Sequence, residues 1–148
     1  MSKPPTVVPF LWYDGAAEEA ARHYVSIFPD ARLVEVSGMS ATFELQGQRL
    51  VAFNGGPTFT FNEAISLSVS CDSQQEIDHF WTRLGDGGTE LQCGWLKDRY
   101  GLAWQVVPRA LPEMLQDADR ERAQRVMDAM MSMKKLDIAM LRAAWERE

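Results

Sequence analysis

The order of the predicted elements repeats along the chain, and this repeat constrains the fold more than any single motif. Hydrophobic periodicity predicts a strand, a helix and further strands, and after about fifty residues the same order returns. The predicted elements cover residues 6–13, 16–28, 33–36, 42–46 and 50–54, and then 63–71, 74–84, 89–95 and 102–107. This order predicts an α+β protein in which one unit of strand, helix and strands occurs twice.

Two local patterns indicate how individual predicted strands lie in their sheet. Pro9 lies inside the first predicted strand and has no backbone N–H to donate, which predicts an edge position or the start of a strand. The strand over 63–71 alternates strictly, so Ser66, Ser68 and Ser70 share one face and apolar side chains share the other.

Residues beyond Pro108 have a different, helical character. Apolar spacing predicts helices over 119–133 and 137–146, with Asp119 and Asp137 as their N-caps. Such a tail would cover either a sheet surface of its own chain or a neighbouring subunit.

The length of 148 residues suits one domain with a full core, and the composition is that of an ordinary globular protein. We expect a paired-module domain over residues 1–110. The helical extension over 111–148 is expected to pack on that domain or on a partner subunit.

Charge and hydropathy exclude several classes of function. The net charge of −6, without a basic cluster, disfavours binding to the phosphate backbone of nucleic acids. No apolar run reaches the roughly 18–20 residues of a membrane helix, and no secretory signal pattern opens the chain. Cys71 and Cys93 form neither a disulfide framework nor a zinc pattern, so we expect a reduced, cytoplasmic protein.

The run over residues 93–108 predicts a hairpin whose turn carries Asp98 and Gly101. In its second strand, Gln105 stands among large apolar residues, which is typical of a polar group that points into a cavity. Asn54 has a similar position at the end of an earlier strand. Both amides are as consistent with ligand contact as with an internal hydrogen bond.

Other side chains also keep two interpretations open. Cys93 is a candidate nucleophile, although no base or helix N-terminus is evident beside it, which favours an inert thiol. Lys97 and Asp98 are explained by turn chemistry alone. Trp12 and Trp95 could either stack on a planar ligand or fill the core.

Together these residues resemble the vicinal oxygen chelate superfamily, which contains glyoxalases, extradiol dioxygenases and bleomycin-resistance proteins. Within it the chain is most similar to the PhnB-like group, often labelled "3-demethylubiquinone-9 3-methyltransferase". The matching segments are 10–15 (FLWYDG), 17–20 (AEEA), 54–57 (NGGP), 61–66 (FNEAIS) and 93–108 (CGWLKDRYGLAWQVVP).

The resemblance implies two βαβββ modules, each part of an incomplete barrel around one cavity, and it implies a homodimer. Metal-holding members use one side chain from each of the first, fourth, fifth and eighth strands, usually His, Glu or Gln. When the strands of this chain are matched to those of the family, the corresponding positions are Pro9 or Leu11, Asn54, Ser66 and Gln105. Proline and leucine have no donor atom, and hydroxyls and neutral amides are weak ligands for transition metals. We therefore expect no catalytic metal.

The label of the group also names a methyltransferase. Its methyl donor, S-adenosylmethionine, normally sits against a glycine-rich turn that leads from a strand into a helix. Residues 85–88 (GDGG) instead leave a predicted helix and enter a strand, and Gly55 and Gly56 lead into Pro57. Neither segment is expected to hold a nucleotide, and we expect no cofactor.

We therefore expect a metal-independent protein that binds an unknown small molecule, or an enzyme of undetermined reaction. The expected ligand-binding residues are Trp12, Asn54, Ser66, Trp95 and Gln105. The alternative is a metal-dependent lyase or dioxygenase whose ligands lie elsewhere in the chain. The methyltransferase activity of the label has less support from the residues.

Overall fold

A computed structural model describes residue 3 and residues 5–147. The chain divides into two compact units, of which the first ends at Phe61 and the second begins at Asn62. Each unit contains one open four-stranded sheet and at least one helix, which confirms the predicted α+β class and the repeat in element order.

The first unit has the order strand, helix and three strands. Its elements are β1 (Phe10–Tyr13), α1 (Ala17–Ile27), β2 (Ala31–Val36), β3 (Ser40–Leu45) and β4 (Gln48–Asn54). The sheet order is β1-β4-β3-β2, with β1 parallel to β4 and the other neighbours antiparallel. Helix α1 packs on one face of this sheet, where Tyr24 is fully buried and its hydroxyl lies 3.0 Å from the Tyr13 hydroxyl.

The proline prediction for the first strand is confirmed. Strand β1 begins directly after Pro9 and lies at an edge of its sheet, where a missing donor disrupts no ladder. A tight turn joins β3 to β4, and Gln46 and Gly47 both have positive φ there.

The second unit contains the remaining strands and four helices. Its elements are β5 (Ser66–Cys71), α2 (Gln74–Gly85), β6 (Thr89–Glu90), β7 (Trp95–Lys97), β8 (Ala103–Pro108), α3 (Leu111–Leu115), α4 (Arg120–Met131) and α5 (Ile138–Glu146). The sheet order is β5-β8-β7-β6, with β5 parallel to β8. Ser73 caps α2, and Asp119 and Asp137 cap α4 and α5 as predicted.

The continuous strand predicted over 89–95 is wrong, because the structure divides it into β6 and β7. Cys93 and Gly94 have positive φ values of 61° and 83°, which extended backbone cannot accommodate. Their amides donate to the carbonyls of Met133 and Lys134 at 2.8 Å, so the chain turns here to meet a distant segment. Helix α3 was not predicted from the sequence.

The helices after β8 pack within the second unit around their own apolar cluster. Its buried members are Leu111, Met114, Val126, Met133, Leu136 and Leu141. Val107 of β8 packs against this cluster, and Gln74 at the start of α2 donates to the Leu136 carbonyl at 3.0 Å. Within the described residues, no helix combines the length and apolar character that crossing a membrane requires.

Candidate functional site

An exposed group of aromatic rings covers part of the sheet face opposite α1 in the first unit. Strand register places Trp12 beside Phe53 and puts Phe10 on the same face, while Phe59 follows from the loop after β4. Ring centroids lie 5.2 Å apart for Phe10 and Phe53, 5.4 Å for Trp12 and Phe53, and 4.9 Å for Trp12 and Phe59. Phe10 and Phe59 are each 62% exposed, so this aromatic cluster offers apolar surface to a ligand.

The indole of Trp12 is held in one orientation. Its Nε1 donates to the Gly56 carbonyl at 2.9 Å, and its ring lies directly on Gly55, where a Cβ atom would overlap it. Gly55 and Gly56, which were not expected to hold a nucleotide, serve to fit the indole against the backbone.

Asn54, predicted to contact a ligand, lies on the helix side of the same sheet. It pairs in register with the buried Tyr13, and its Oδ1 accepts from the Ala17 backbone N–H at 2.8 Å. The first turn of α1 needs this acceptor because the N-cap residue, Ala16, has no side-chain oxygen. The structure thus gives the Asn54 oxygen a capping role and places it on the opposite face from Trp12.

In the second unit the structure brings three predicted residues together. Gln105 of β8 donates from Nε2 to the Ser66 hydroxyl of β5 at 3.0 Å, and Trp95 of β7 is the register partner of Gln105. All three are half-buried. Trp104 and Val106, the neighbours of Gln105 on β8, are buried on the α2 side, so Gln105, Ser66 and Trp95 share the opposite face. We call this the open face, although the helical extension packs against Val107 farther along it.

Sequence reasoning did not assign a role in the site to an ion pair on this face. Lys97 Nζ lies 2.6 Å from Glu63 Oε1, and this contact lowers the pKa of the Glu63 carboxyl. Alternation along β7 puts Lys97 on the same face as Trp95, a signal that was available from the sequence. We call Glu63, Lys97, Ser66 and Gln105 the polar row.

Asp98, the residue after Lys97, has a structural role. It is 2% exposed, and its Oδ1 accepts from the Tyr100 and Leu102 amides at 2.9 and 3.1 Å. Its Oδ2 accepts from Trp104 Nε1 at 2.9 Å. The carboxylate therefore orders the turn between β7 and β8, in agreement with the turn chemistry expected from the sequence.

The two cysteines differ in environment. Cys71 is buried, and burial raises the pKa of its thiol to about 11, which leaves it protonated and unreactive at neutral pH. Cys93 is half-buried, and its Sγ contacts Met131 Sδ at 3.5 Å.

The residues carried over from metal-holding relatives do not fit a metal ion. Leu11 is buried on the helix side of its sheet, and Asn54 caps α1. Ser66 and Gln105 offer only neutral atoms already bonded to each other. Across residues 5–147 and residue 3, no group of three or more His, Cys, Asp or Glu side chains could hold an ion.

Comparison with known proteins places these features in a family. The sequence model of a family described as "3-demethylubiquinone-9 3-methyltransferase" matches residues 5–107. A structure described as a putative 3-demethylubiquinone-9 3-methyltransferase, PhnB protein, from Bacillus cereus is 32% identical, with a TM-score of 0.67, covering 70% of this chain and 99% of that one. No curated protein sequence matches the chain.

Two more distant structures share the fold. Protein PA1353 from Pseudomonas aeruginosa is 22% identical with a TM-score of 0.58, covering 70% of this chain and 97% of that chain. The fosfomycin resistance protein FosX from Listeria monocytogenes, complexed with Mn(II) and sulfate, is 12% identical with a TM-score of 0.56. That match covers 78% of this chain and 98% of FosX, and at this identity it shows the fold alone.

Proposed function

Because the chain belongs to the 3-demethylubiquinone-9 3-methyltransferase family, in the PhnB-like group of the vicinal oxygen chelate superfamily, we propose that it binds a small organic molecule without a metal ion. The observation that carries this proposal is the bonded pair of Gln105 and Ser66, which lies beside Trp95 on an open sheet face. An amide and a hydroxyl can exchange their mutual bond for bonds to a polar organic group, while the indole covers a flat apolar part.

The aromatic cluster of the first unit supports the same class of function. Trp12 is fixed by Gly55 and Gly56, so it presents a preformed apolar surface with little entropy to lose on binding. Trp12 remains one of the proposed ligand contacts. Asn54 remains a proposed contact only from the helix side of that sheet, the face opposite Trp12, because its Oδ1 accepts from the Ala17 N–H.

The family description does not extend to a methyltransferase mechanism in this chain. The segment from Gly85 to Gly88 ends α2 and enters β6, the reverse of a nucleotide-binding order. A Cβ atom at Gly88 would overlap the Lys97 carbonyl, so this glycine permits close backbone packing.

A binding experiment tests the proposal. Benzamide and nicotinamide, two neutral planar amides, are titrated into the isotope-labelled protein and followed by amide NMR. Saturable shifts are expected at Ser66, Trp95 and Gln105, and Gln105→Leu should abolish them. The control Gln124→Ala changes an exposed helical glutamine that bonds Asp128 of its own helix, and it should leave binding unchanged.

Two results would contradict the proposal. The first is an absence of saturable shifts at these residues with either amide and with benzoate, a carboxylate of similar shape. The second is binding that appears only with Ni²⁺, Zn²⁺, Mn²⁺ or Fe²⁺, with the ion retained stoichiometrically after dialysis. The second result would favour the metal-dependent lyase or dioxygenase.

We also propose a homodimer formed through the helical extension. Met127 and Met131, one turn apart on α4, are 37% and 59% exposed, and Met140 on α5 is 57% exposed. Met131→Glu is expected to shift the mass measured by light scattering from two chains to one. Met39→Glu, a matched change at a 58% exposed methionine of the first unit, should leave the dimer intact. A wild-type mass of one chain would refute the dimer.

We propose a cytoplasmic location, which agrees with the two free cysteines. Cell fractionation tests it, and recovery of the protein outside the cytoplasm would overturn it.

A further inference from the structure

The polar row contains one cation whose position in the sheet is set by strand register. Lys97 of β7 pairs with Ala103 of β8, and Ala103 pairs in turn with Ser66 of β5. The three residues therefore follow one line across three strands on the open face. Gln105 lies two positions along β8 on the same face and bonds back to Ser66.

The lysine side chain reaches from β7 across β8 to the β5 side of the sheet. Glu63 lies three residues before Ser66, just ahead of β5, yet its carboxylate meets Lys97 Nζ from two strands away. Ala103, between the two strands, is fully buried and contributes only a methyl group. The ammonium is therefore held beside the start of β5, and Lys97 is two positions along β7 from Trp95 on the same face.

The ion pair is exposed enough to open. The side chains of Lys97 and Glu63 are 32% and 49% exposed, and ion pairs that face water contribute little to stability. A ligand anion that also contacts Trp95 and Gln105 can therefore compete with Glu63 for the ammonium at small cost to the fold.

We propose that Lys97 binds a carboxylate of the ligand, and that this carboxylate replaces Glu63 as the partner of the ammonium. This inference rests on the proposed function, and it narrows the ligand to a small planar monocarboxylate. A monoanion is favoured over a dianion because the site supplies one positive charge, keeps Glu63 nearby and belongs to a chain of net charge −6.

The test compares benzoate with benzamide, which has the same shape and no charge, and with phenyl phosphate, which is a dianion. Wild-type protein is expected to bind benzoate about tenfold more tightly than benzamide, because a charge-assisted bond replaces a neutral one. Phenyl phosphate should bind more weakly than benzoate.

Four variants locate the effect. Lys97→Met should remove the preference for benzoate over benzamide, and Lys97→Arg should retain it. Glu63→Gln should strengthen benzoate binding because the competing carboxylate is gone. Lys135→Met is the matched control, since Lys135 forms a comparable exposed pair with Asp78 at 2.9 Å, and it should leave the preference unchanged. The amide NMR spectrum of Lys97→Met also shows whether that variant folds. If it does not fold, Lys97→Arg still tests whether a positive charge at this position is enough for the preference for benzoate.

The outcomes separate this inference from the proposed function. Equal affinities of wild-type protein for benzoate and benzamide would overturn the inference and leave small-molecule binding intact. Weaker benzoate binding in Glu63→Gln would show that the ligand does not replace Glu63 at the Lys97 ammonium. Tighter binding of phenyl phosphate than of benzoate would refute the preference for a monocarboxylate. Failure of all three probes to bind at these residues would overturn both proposals.

Discussion

Replacement of Asp98 by asparagine tests the account of the β7–β8 turn most directly. The buried carboxylate accepts hydrogen bonds from the Tyr100 and Leu102 amides and from the Trp104 indole. Asparagine has the same shape but keeps only one acceptor oxygen. With that oxygen facing the two amides, its NH₂ group faces the indole N–H, and two donors then meet in a buried position.

The magnitude follows from the bonds that change. An unsatisfied buried donor costs about 1–3 kcal/mol, and the two remaining bonds lose their charge assistance, at a further cost of up to about 1 kcal/mol each. Part of this loss is offset because a buried charge is removed. We expect a destabilisation of about 3 kcal/mol, which lowers the Tm of a chain of this length by about 9 °C.

The assay is thermal unfolding followed by circular dichroism, with urea unfolding as a second measure of free energy. Asp86→Asn is the matched control, because Asp86 is 74% exposed and pairs with Arg99 at the surface. Its Tm should stay within about 2 °C of the wild-type value. If Asp98→Asn behaves like Asp86→Asn, the three hydrogen bonds do not hold the turn and the reasoning fails.

Three further predictions concern the first unit and the cysteines. Gly55→Ala should lower the Tm and alter the fluorescence of Trp12, because the added methyl displaces the indole; unchanged emission would contradict this packing. Alkylation of native protein near neutral pH should label Cys93 and leave Cys71 unlabelled, and mass spectrometry of digested protein would reveal the opposite pattern. Arg49 and Arg32 lower the pKa of the Glu44 carboxyl in the folded protein. The ionised carboxylate therefore stabilises the fold fully above the pKa that Glu44 has in the unfolded chain, and this contribution is lost as the pH falls through the pKa of the folded protein. The stability difference between wild type and Glu44→Gln should therefore shrink from about pH 6 to about pH 3, and a constant difference in urea unfolding would contradict the pairing.

Features that depend on local chemistry could be predicted from the sequence. The edge strand after Pro9 follows from a missing backbone donor, and the N-caps at Asp119 and Asp137 follow from short acceptor side chains before apolar periodicity. The family resemblance put Ser66 and Gln105 in one expected ligand-binding set, and the structure bonds them to each other.

Features that depend on distant contacts could not be predicted in the same way. The strand expected over 89–95 is interrupted at Cys93 and Gly94 because their amides bond a segment about forty residues later in the chain. A Cβ atom at Gly94 would lie 2.9 Å from both a Leu136 methyl carbon and the Val106 carbonyl, so this approach also requires glycine. Nothing in the local pattern of residues 89–95 reveals that partner.

Asn54 shows why a polar residue at a strand end is weak evidence for a binding site. Alignment by strand placed it among the ligand contacts, yet one position of strand alternation decides whether a side chain faces the open side or the helix. Helix α1 begins after an alanine, which cannot cap it, and the nearest strand end supplies the missing oxygen. The same amide chemistry therefore satisfies a structural need in the first unit, whereas the Gln105 amide in the second unit bonds a serine hydroxyl that a ligand can replace. This difference in partners is the reason to look for ligand recognition first at Gln105.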